Sequence, residues 1–271
     1  MTRELHYVVL NPSGSVTVLF IHGFMGSSED WRPIAQALSH DYRCVLLDLP
    51  GHGYTPVRSD AAAYTMAAVS RDVMHLMDRL APDRFFIVGY SMGGRLALYL
   101  AADYPERIEG LIMEAASPGL PTETDRAERR DYDERIAAEL EIGNWDTFLE
   151  QWYDRSLFDT LREQGPRFDA LLEQRRRNNA RELAKVLRGM GAGAQPSLWD
   201  GLSGIAVPIV LIVGERDPKY HSIAEDMRDF LGRAAVAVMP GAGHNVHFEK
   251  PADYTRLLQG LLDDMRGAAG R

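Results

Sequence analysis

The sequence has 271 residues, of which 45% are hydrophobic, and a formal net charge of −9 at pH 7. This length and composition predict a folded chain with one large core, or a core with a sizeable insertion. The acidic balance argues against a nucleic-acid or anionic-membrane partner, because such partners need a basic face. No run approaches the roughly 18 apolar residues of a membrane span, and residues 1–15 lack the features of a signal peptide, so we expect a cytoplasmic protein.

Short apolar runs bounded by turn residues recur along the chain and predict strands that are covered on both faces of a parallel sheet. Helical patterns lie between them, so the predicted fold class is α/β. Cys44 lies in the second run and is expected to be a packed strand residue, since a single cysteine cannot form an internal disulfide. The predicted strands are 16–22, 43–48, 85–89, 108–115, 208–214 and 235–240, and the helical patterns are 31–39, 66–81, 93–104, 222–231 and 252–265.

One region breaks the alternation of strands and helices. Between about Leu120 and Pro196 the sequence has only charged amphipathic segments and no strand-like run. We interpret this region as a helical lid over the carboxyl edge of the sheet, where open α/β proteins bind ligands. The predicted division is therefore a core formed by 1–119 and 197–271, with an insertion at 120–196.

The stretch Gly89-Tyr90-Ser91-Met92-Gly93 matches the GxSxG nucleophile elbow, with a predicted strand before it and a predicted helix after it. A strained turn of this kind brings neighbouring chain segments close together, and only glycine lacks the side chain that would collide there. The turn exposes the hydroxyl near the positive end of the following helix. Ser91 is the predicted nucleophile or base.

A serine hydroxyl needs another group to take its proton, so this interpretation requires a histidine and normally a carboxylate. Asp217 follows the strand 208–214, and His244 follows the strand 235–240. The chain order serine, acid, histidine is typical of the elbow proteins. His22 and His52 lie in glycine-rich loops and are expected to hold loop backbone, while His247 is expected to pack the start of the last helix.

Two backbone N–H groups are predicted to form an oxyanion hole beside Ser91. The glycines of His22-Gly23-Phe24-Met25-Gly26 free the backbone after the first long strand, which lets the N–H of Phe24 point towards the same place as that of Met92.

The segments FIHGF, DLPGHG, GYSMGG, GERD and GAGH together resemble the α/β-hydrolase superfamily over essentially the whole chain. This fold hosts many activities, so the resemblance implies the fold and leaves the reaction open.

Arg95 points to the class of substrate. It lies four positions after Ser91 on the same helical face, so its guanidinium is expected near the hydroxyl. A buried cation beside a site for neutral esters would be desolvated without a partner, whereas an anionic ligand would pair with it. Arginines of the insertion supply further guanidinium groups that can bind carboxylates with two hydrogen bonds. The alternative is that they are solvated surface charges, since the chain has 27 arginines and the helices of the insertion are amphipathic.

Several further segments resemble one family within the superfamily, the pyruvate-eliminating synthases of menaquinone biosynthesis. They are GYSMGGRLALY, LIMEAASPGL, RAERRDYDERIA, FLEQWYDRSLF, GERDPKY and residues 175–199. The resemblance implies a lyase with no metal or organic cofactor, in which Ser91, Asp217 and His244 form the triad and Ser91 acts as a general base. It also implies a small polycarboxylate substrate that contacts Tyr90, Arg95, Arg129, Trp152 and Arg176.

Some alternatives stay open from the sequence. Arg130 can replace Arg129, and Arg175 or Arg177 can replace Arg176, because adjacent arginines leave the register of the insertion undecided. An ordinary serine hydrolase of esters or carbon–carbon bonds would use the same triad, and a non-catalytic binding protein would need none of it. The sequence leaves the oligomeric state open.

Overall fold

A computed structural model describes residues 4–81 and 83–269, in which seven strands form one sheet. The strand order is β1-β3-β2-β4-β5-β6-β7, and every pairing is parallel except the antiparallel pair of β1 and β3. The strands are β1 (Tyr7–Leu10), β2 (Thr17–Ile21), β3 (Arg43–Leu47), β4 (Phe85–Tyr90), β5 (Ile108–Glu114), β6 (Ile209–Gly214) and β7 (Ala234–Met239).

Six of these strands confirm the sequence prediction, and β1 was missed. The missed strand is only four residues long and is half-buried throughout, because it lies at the edge of the sheet. The strand β7 at the opposite edge also differs from the expectation of burial on both faces, since Val238 is 42% exposed. Cys44 is a packed residue of β3, where burial raises the pKa of its thiol to about 12.

Helices cover both faces of the sheet. On one face the core contains Val73 and Leu96, and on the other it contains Trp31 and Leu258. The helices are α1 (Ser28–Leu38), α2 (Met66–Leu80), α3 (Met92–Asp103), α4 (Glu123–Ile142), α5 (Trp145–Tyr153), α6 (Asp159–Arg162), α7 (Pro166–Arg175), α8 (Ala180–Met190), α9 (Pro218–Phe230), α10 (Val246–Glu249) and α11 (Pro251–Ala269).

The helices α4 to α8 lie between β5 and β6, and the described chain has no strand between those two. Their apolar side chains form a separate cluster that includes Ile136, Phe148 and Leu183, and Met25 from the loop after β2 packs into it. The insertion therefore packs against a loop at the carboxyl edge of the sheet. The exact bounds of the predicted division, 1–119, 120–196 and 197–271, stay a prediction.

No helix within the described residues combines the length and the apolar character that crossing a membrane requires.

Candidate active site

Ser91 occupies a strained turn between β4 and α3. Its backbone has φ 50° and ψ −110°, a left-handed conformation that side chains rarely adopt. Glycine is required on both sides of it: a Cβ at Gly93 would collide with the carbonyl oxygens of Ile21 and His22, and a Cβ at Gly89 with the backbone of Gly93. The turn is tied down where the N–H of Ser91 donates to the carbonyl of Glu114, at 2.9 Å. The close approach of β2 and the residue after it thus explains Gly93, and the close approach of the first turn of α3 explains Gly89.

An acid and a histidine from two other strand ends meet this serine. Asp217 caps α9 after β6, and its Oδ2 lies 2.7 Å from Nδ1 of His244, which follows β7. The Nε2 of His244 lies 3.3 Å from Oγ of Ser91. Both the carboxylate and the imidazole are buried, so their interaction is shielded from water. This geometry suits the transfer of the Ser91 proton to His244, with Asp217 fixing the tautomer and orientation of the ring.

The three further histidines that the sequence analysis considered, His22, His52 and His247, pack among structural partners. Nε2 of His22 accepts the N–H of Leu49 at 3.0 Å, and Nε2 of His52 accepts the N–H of Met25 at 3.1 Å, so both hold loop backbone as the sequence predicts. Burial lowers the pKa of both rings. His247 stacks on Trp31 with ring centroids 4.0 Å apart and bonds to a buried carboxylate, Glu114.

The two predicted oxyanion donors belong to segments that border the same cavity as Ser91. Met92 is the first residue of α3, where a helix leaves its N–H groups without intrahelical partners. Phe24 lies in the loop after β2, which is shaped by a bond from the N–H of Gly26 to the carbonyl of Gly23 and by the bond of Met25 to His52. Their role as oxyanion donors stays a prediction.

A cavity of about 220 Å³ opens at Ser91 beneath the insertion. Its wall contains Tyr90, whose ring centroid is 5.5 Å from that of His244, and Trp152, whose centroid is 5.3 Å from that of Phe24. Burial raises the pKa of Tyr90 well above its usual range, so its phenol is neutral. The predicted residues that line the cavity are Phe24, Tyr90, Ser91, Met92, Arg95, Arg129, Trp152 and His244.

Arg95, the cation that the sequence places near Ser91, is partly buried and lines the same cavity. Its Nη1 donates to Oε1 of Gln195 at 2.7 Å, and no carboxylate lies within ion-pair distance of it in the described chain. Burial lowers the pKa of the guanidinium to about 10, and the nearby Arg129 acts in the same direction. A guanidinium in this position is poorly compensated by the protein, which favours an anion in the cavity.

Arg129 reaches the cavity, whereas its neighbour Arg130 does not. Nε of Arg129 lies 2.8 Å from Oδ1 of the buried Asp133. Arg130 pairs instead with the exposed Glu123, at 2.6 Å, outside the cavity wall.

Arg176, the predicted substrate contact, lies outside the cavity wall, whereas its neighbour Arg175 lines the cavity. Arg175 is buried, lines the cavity, and forms a two-pronged pair with Asp30 at 2.9 and 2.7 Å. Arg176 lies past the last residue of α7 and pairs with Asp146, at 2.9 Å, and with Glu173 on the protein surface. Arg177 borders a neighbouring groove outside the Ser91 cavity. Successive helical residues point about 100° apart, so a shift of one residue exchanges the cavity for solvent.

The cavity residues that were not predicted include Arg155, Lys219 and Tyr220. Tyr220 packs its ring 4.6 Å from that of His244, and its N–H donates to Asp217 at 3.2 Å. The sequence contained one signal for Tyr220. An aspartate at a helix N-cap accepts the backbone N–H of the residue two or three positions later, and Tyr220 is the third residue after Asp217.

Among residues 4–81 and 83–269, no group of three or more His, Cys, Asp or Glu side chains is placed to hold a metal ion.

Comparison with known proteins identifies the family. Residues 16–251 match the α/β hydrolase fold family. The chain is 34% identical over 252 residues to the putative 2-succinyl-6-hydroxy-2,4-cyclohexadiene-1-carboxylate synthase of Bacillus subtilis, covering 93% of this chain and 92% of that protein. The chain belongs to the α/β-hydrolase family, in the branch of these synthases. The synthase of Salmonella arizonae is 33% identical over 253 residues, covering 92% and 95% of the two chains.

Two further matches differ in what they cover. The chain is 35% identical over 263 residues to the chloroplastic protein PHYLLO of Arabidopsis thaliana, but it spans only 15% of that protein's length. The solved structure of MenH from S. aureus superposes with a TM-score of 0.92 at 29% identity and covers 96% of this chain and 99% of that one. The similarity to that structure extends over the insertion as well as the core.

Proposed function

We propose that this protein eliminates pyruvate from 2-succinyl-5-enolpyruvyl-6-hydroxy-3-cyclohexene-1-carboxylate and releases 2-succinyl-6-hydroxy-2,4-cyclohexadiene-1-carboxylate. The observation that carries the proposal is Arg95, a partly buried guanidinium without a carboxylate partner in the described chain, one helical turn from a serine that is hydrogen-bonded to His244. The related synthases are named for this product. A cavity with five cationic side chains suits a substrate with three carboxylates.

The names of substrate and product define which bonds change. The ring loses the proton on C2, its double bond moves from C3–C4 to C2–C3, a second forms at C4–C5, and the bond from C5 to the enolpyruvyl oxygen breaks. The leaving group departs as the enolate of pyruvate and takes up a proton. No water is consumed, so the reaction needs a base and stabilisation of negative charge, and no acyl-enzyme.

Ser91, activated by His244, is the proposed base for the C2 proton. Transfer of the serine proton to Nε2 of His244 generates the base, and Asp217 stabilises the imidazolium that results. As C2–H breaks, negative charge spreads onto the adjacent succinyl carbonyl oxygen. The N–H groups of Phe24 and Met92 are the proposed donors to that oxygen.

The arginines are proposed to bind the carboxylates and to hold the ring against Ser91. Arg95, Arg129 and Arg175 lie around the cavity, and Tyr90 and Trp152 provide aromatic walls. Arg129 and Arg175 already carry carboxylate partners, so Arg95 is the strongest candidate for a direct ion pair with substrate. We also propose that the segment 120–196 acts as the lid of this site and that the reaction takes place in the cytoplasm on a small polyanionic substrate.

A direct assay of purified protein tests the proposal. The substrate is supplied at micromolar concentration, and pyruvate is measured with lactate dehydrogenase while the ring diene is followed by its absorbance. We expect both products in equal amounts. Efficient cleavage of short neutral esters, with the enolpyruvyl substrate untouched, would instead identify an ordinary serine hydrolase.

Substitution of Arg95 separates the same two activities. Arg95→Ala removes a charge-assisted hydrogen bond, which is worth about 1.5–3 kcal/mol, so kcat/KM for the anionic substrate should fall by about 10- to 150-fold. Hydrolysis of a neutral ester such as p-nitrophenyl acetate should change little in the same variant. An equal loss on both substrates would mean that Arg95 supports the fold of the elbow and does not recognise an anion.

A further inference from the structure

Arg155 differs from the other arginines of the cavity. Arg129 pairs with Asp133 and Arg175 pairs with Asp30, so each of these charges is balanced within the protein. Arg155 lines the same cavity, yet within the described ranges 4–81 and 83–269 its guanidinium forms neither an ion pair nor a hydrogen bond. An unpaired cation at a cavity wall has donors available for a ligand.

The position of this guanidinium is nevertheless fixed. Its central carbon lies 4.0 Å from the ring centroid of Trp152, and Trp152 in turn stacks on Phe148 at 5.7 Å. The backbone of Arg155 is also held, because its carbonyl accepts the N–H of Phe158 at 2.9 Å and Nη1 of Arg162 at 3.3 Å. A cation stacked on an aromatic ring keeps its in-plane N–H groups free for a carboxylate.

We propose that Arg155 binds a carboxylate of the substrate and forms a second anion subsite, distinct from that of Arg95. This assignment rests on the proposed function. Arg95 projects from α3 on the core side of the cavity, whereas Arg155 follows α5 in the insertion. A ligand with two separated carboxylates satisfies both cations, and a monocarboxylate satisfies only one. Arg155 is therefore a specificity-determining residue for polycarboxylates.

A purely structural role makes a different prediction. If Arg155 serves only to cover Trp152, a side chain with a planar uncharged end should preserve activity. Arg155→Gln supplies such a side chain, and Arg155→Lys keeps the charge without the fork. Arg176→Gln is the matched control, because Arg176 is also an insertion arginine but lies outside the cavity and pairs with Asp146.

Steady-state kinetics with the enolpyruvyl substrate form the first arm of the test. Loss of a charged contact made equally in the ground state and the transition state raises KM and leaves kcat unchanged. We expect Arg155→Gln to raise KM by about 10-fold with kcat within about threefold of the parent, and Arg155→Lys to give an intermediate KM. The control should match the parent protein. An unchanged KM in Arg155→Gln would overturn the assignment, and so would a fall in kcat at constant KM.

Calorimetric binding of 2-succinylbenzoate forms the second arm and requires no turnover. This probe carries a succinyl carboxylate and a ring carboxylate on an aromatic ring. We expect Arg155→Gln to weaken the binding of this probe about 10-fold. Each of its two monomethyl esters has one carboxylate blocked. For the ester that blocks the carboxylate contacted by Arg155, the substitution should change the Kd far less. Equal Kd values for the parent and Arg155→Gln would refute the subsite. If the parent protein failed to convert the enolpyruvyl substrate while probe binding still depended on Arg155, the proposed reaction would be wrong and the subsite would stand.

Discussion

The loops at the carboxyl edge of the sheet and the helical insertion contribute to one cavity by different physical means. Ser91 is placed by a backbone turn that tolerates only glycine at Gly89 and Gly93, so its position is tied to a short sequence pattern. Arg175 is placed by the last turn of an amphipathic helix, next to Arg176 and Arg177. A steric requirement can be recognised in one sequence, whereas a choice among adjacent like residues depends on helical register.

The largest effect is expected at the loop side of the cavity. Ser91→Ala removes the proposed base and His244→Ala removes its activator, so each should lower kcat by about 10³-fold or more. Because the two groups act as a unit, the double variant should lose little more than either single variant. Pyruvate release measures all three.

Stability provides the control for this prediction. The free energy of unfolding of Ser91→Ala, measured in urea, should stay close to that of the parent protein, so that the lost rate reports chemistry. Additive losses in the double variant would contradict a shared proton-transfer unit.

The insertion side is tested by a pair of neighbouring arginines. Arg175→Ala leaves the carboxylate of Asp30 buried without its partner, which should destabilise the fold by about 3–5 kcal/mol and open the cavity wall. Arg176→Ala breaks only exposed ion pairs and should cost less than about 1 kcal/mol. Urea unfolding of both variants, with the kinetics of each, measures the difference.

The double variant Arg175→Ala with Asp30→Ala decides whether Arg175 also binds substrate. Removing both charges should restore much of the stability, because no buried ion is then unpaired. If KM nevertheless remains high, Arg175 contacts the ligand. Similar unfolding energies for the two single variants would contradict the assignment of Arg175, rather than Arg176, to the interior.

The sequence was sufficient to predict the class of fold and six of the seven strands, and it singled out Ser91, Asp217 and His244, which the structure brings within hydrogen-bond distance of one another. A strand followed by a glycine-rich loop can be recognised from a short stretch of sequence. Because the strands are parallel, the loops that follow them lie at one edge of the sheet. The strand β1 was missed because its apolar run, YVVL, is only four residues long and lies half-buried at the edge of the sheet. Arg155 was missed because its position depends on stacking against Trp152, which no local pattern records.

A smaller effect on stability is expected at Gly93. The added methyl group of Gly93→Ala would meet the backbone of Ile21 and His22, which cannot move without shifting β2, so the substitution should cost about 1–3 kcal/mol. Gly260 is the matched control. It lies in α11 with no atom within 4 Å of a Cβ position, and Gly260→Ala should stabilise the helix by about 0.5–1 kcal/mol. Thermal unfolding of both variants should show shifts of opposite sign, and a stabilising Gly93→Ala would mean that the turn does not need glycine there.

The last effect concerns pH and two buried histidines of the loops. His22 and His52 are buried, and burial lowers the pKa of each ring below 6.5, so both are neutral in the folded protein. As pH falls below about 6.5 the unfolded chain binds protons that the folded chain does not, so stability is lost by up to about 1.4 kcal/mol per pH unit for each such ring. Above that pH both states are neutral at these sites and the contribution is constant.

Urea unfolding between pH 7.5 and 5.5 measures this slope. His52→Gln should flatten it, while His40→Gln, which alters an exposed residue, should leave it unchanged. Equal slopes in the parent protein and His52→Gln would show that the acid sensitivity arises elsewhere.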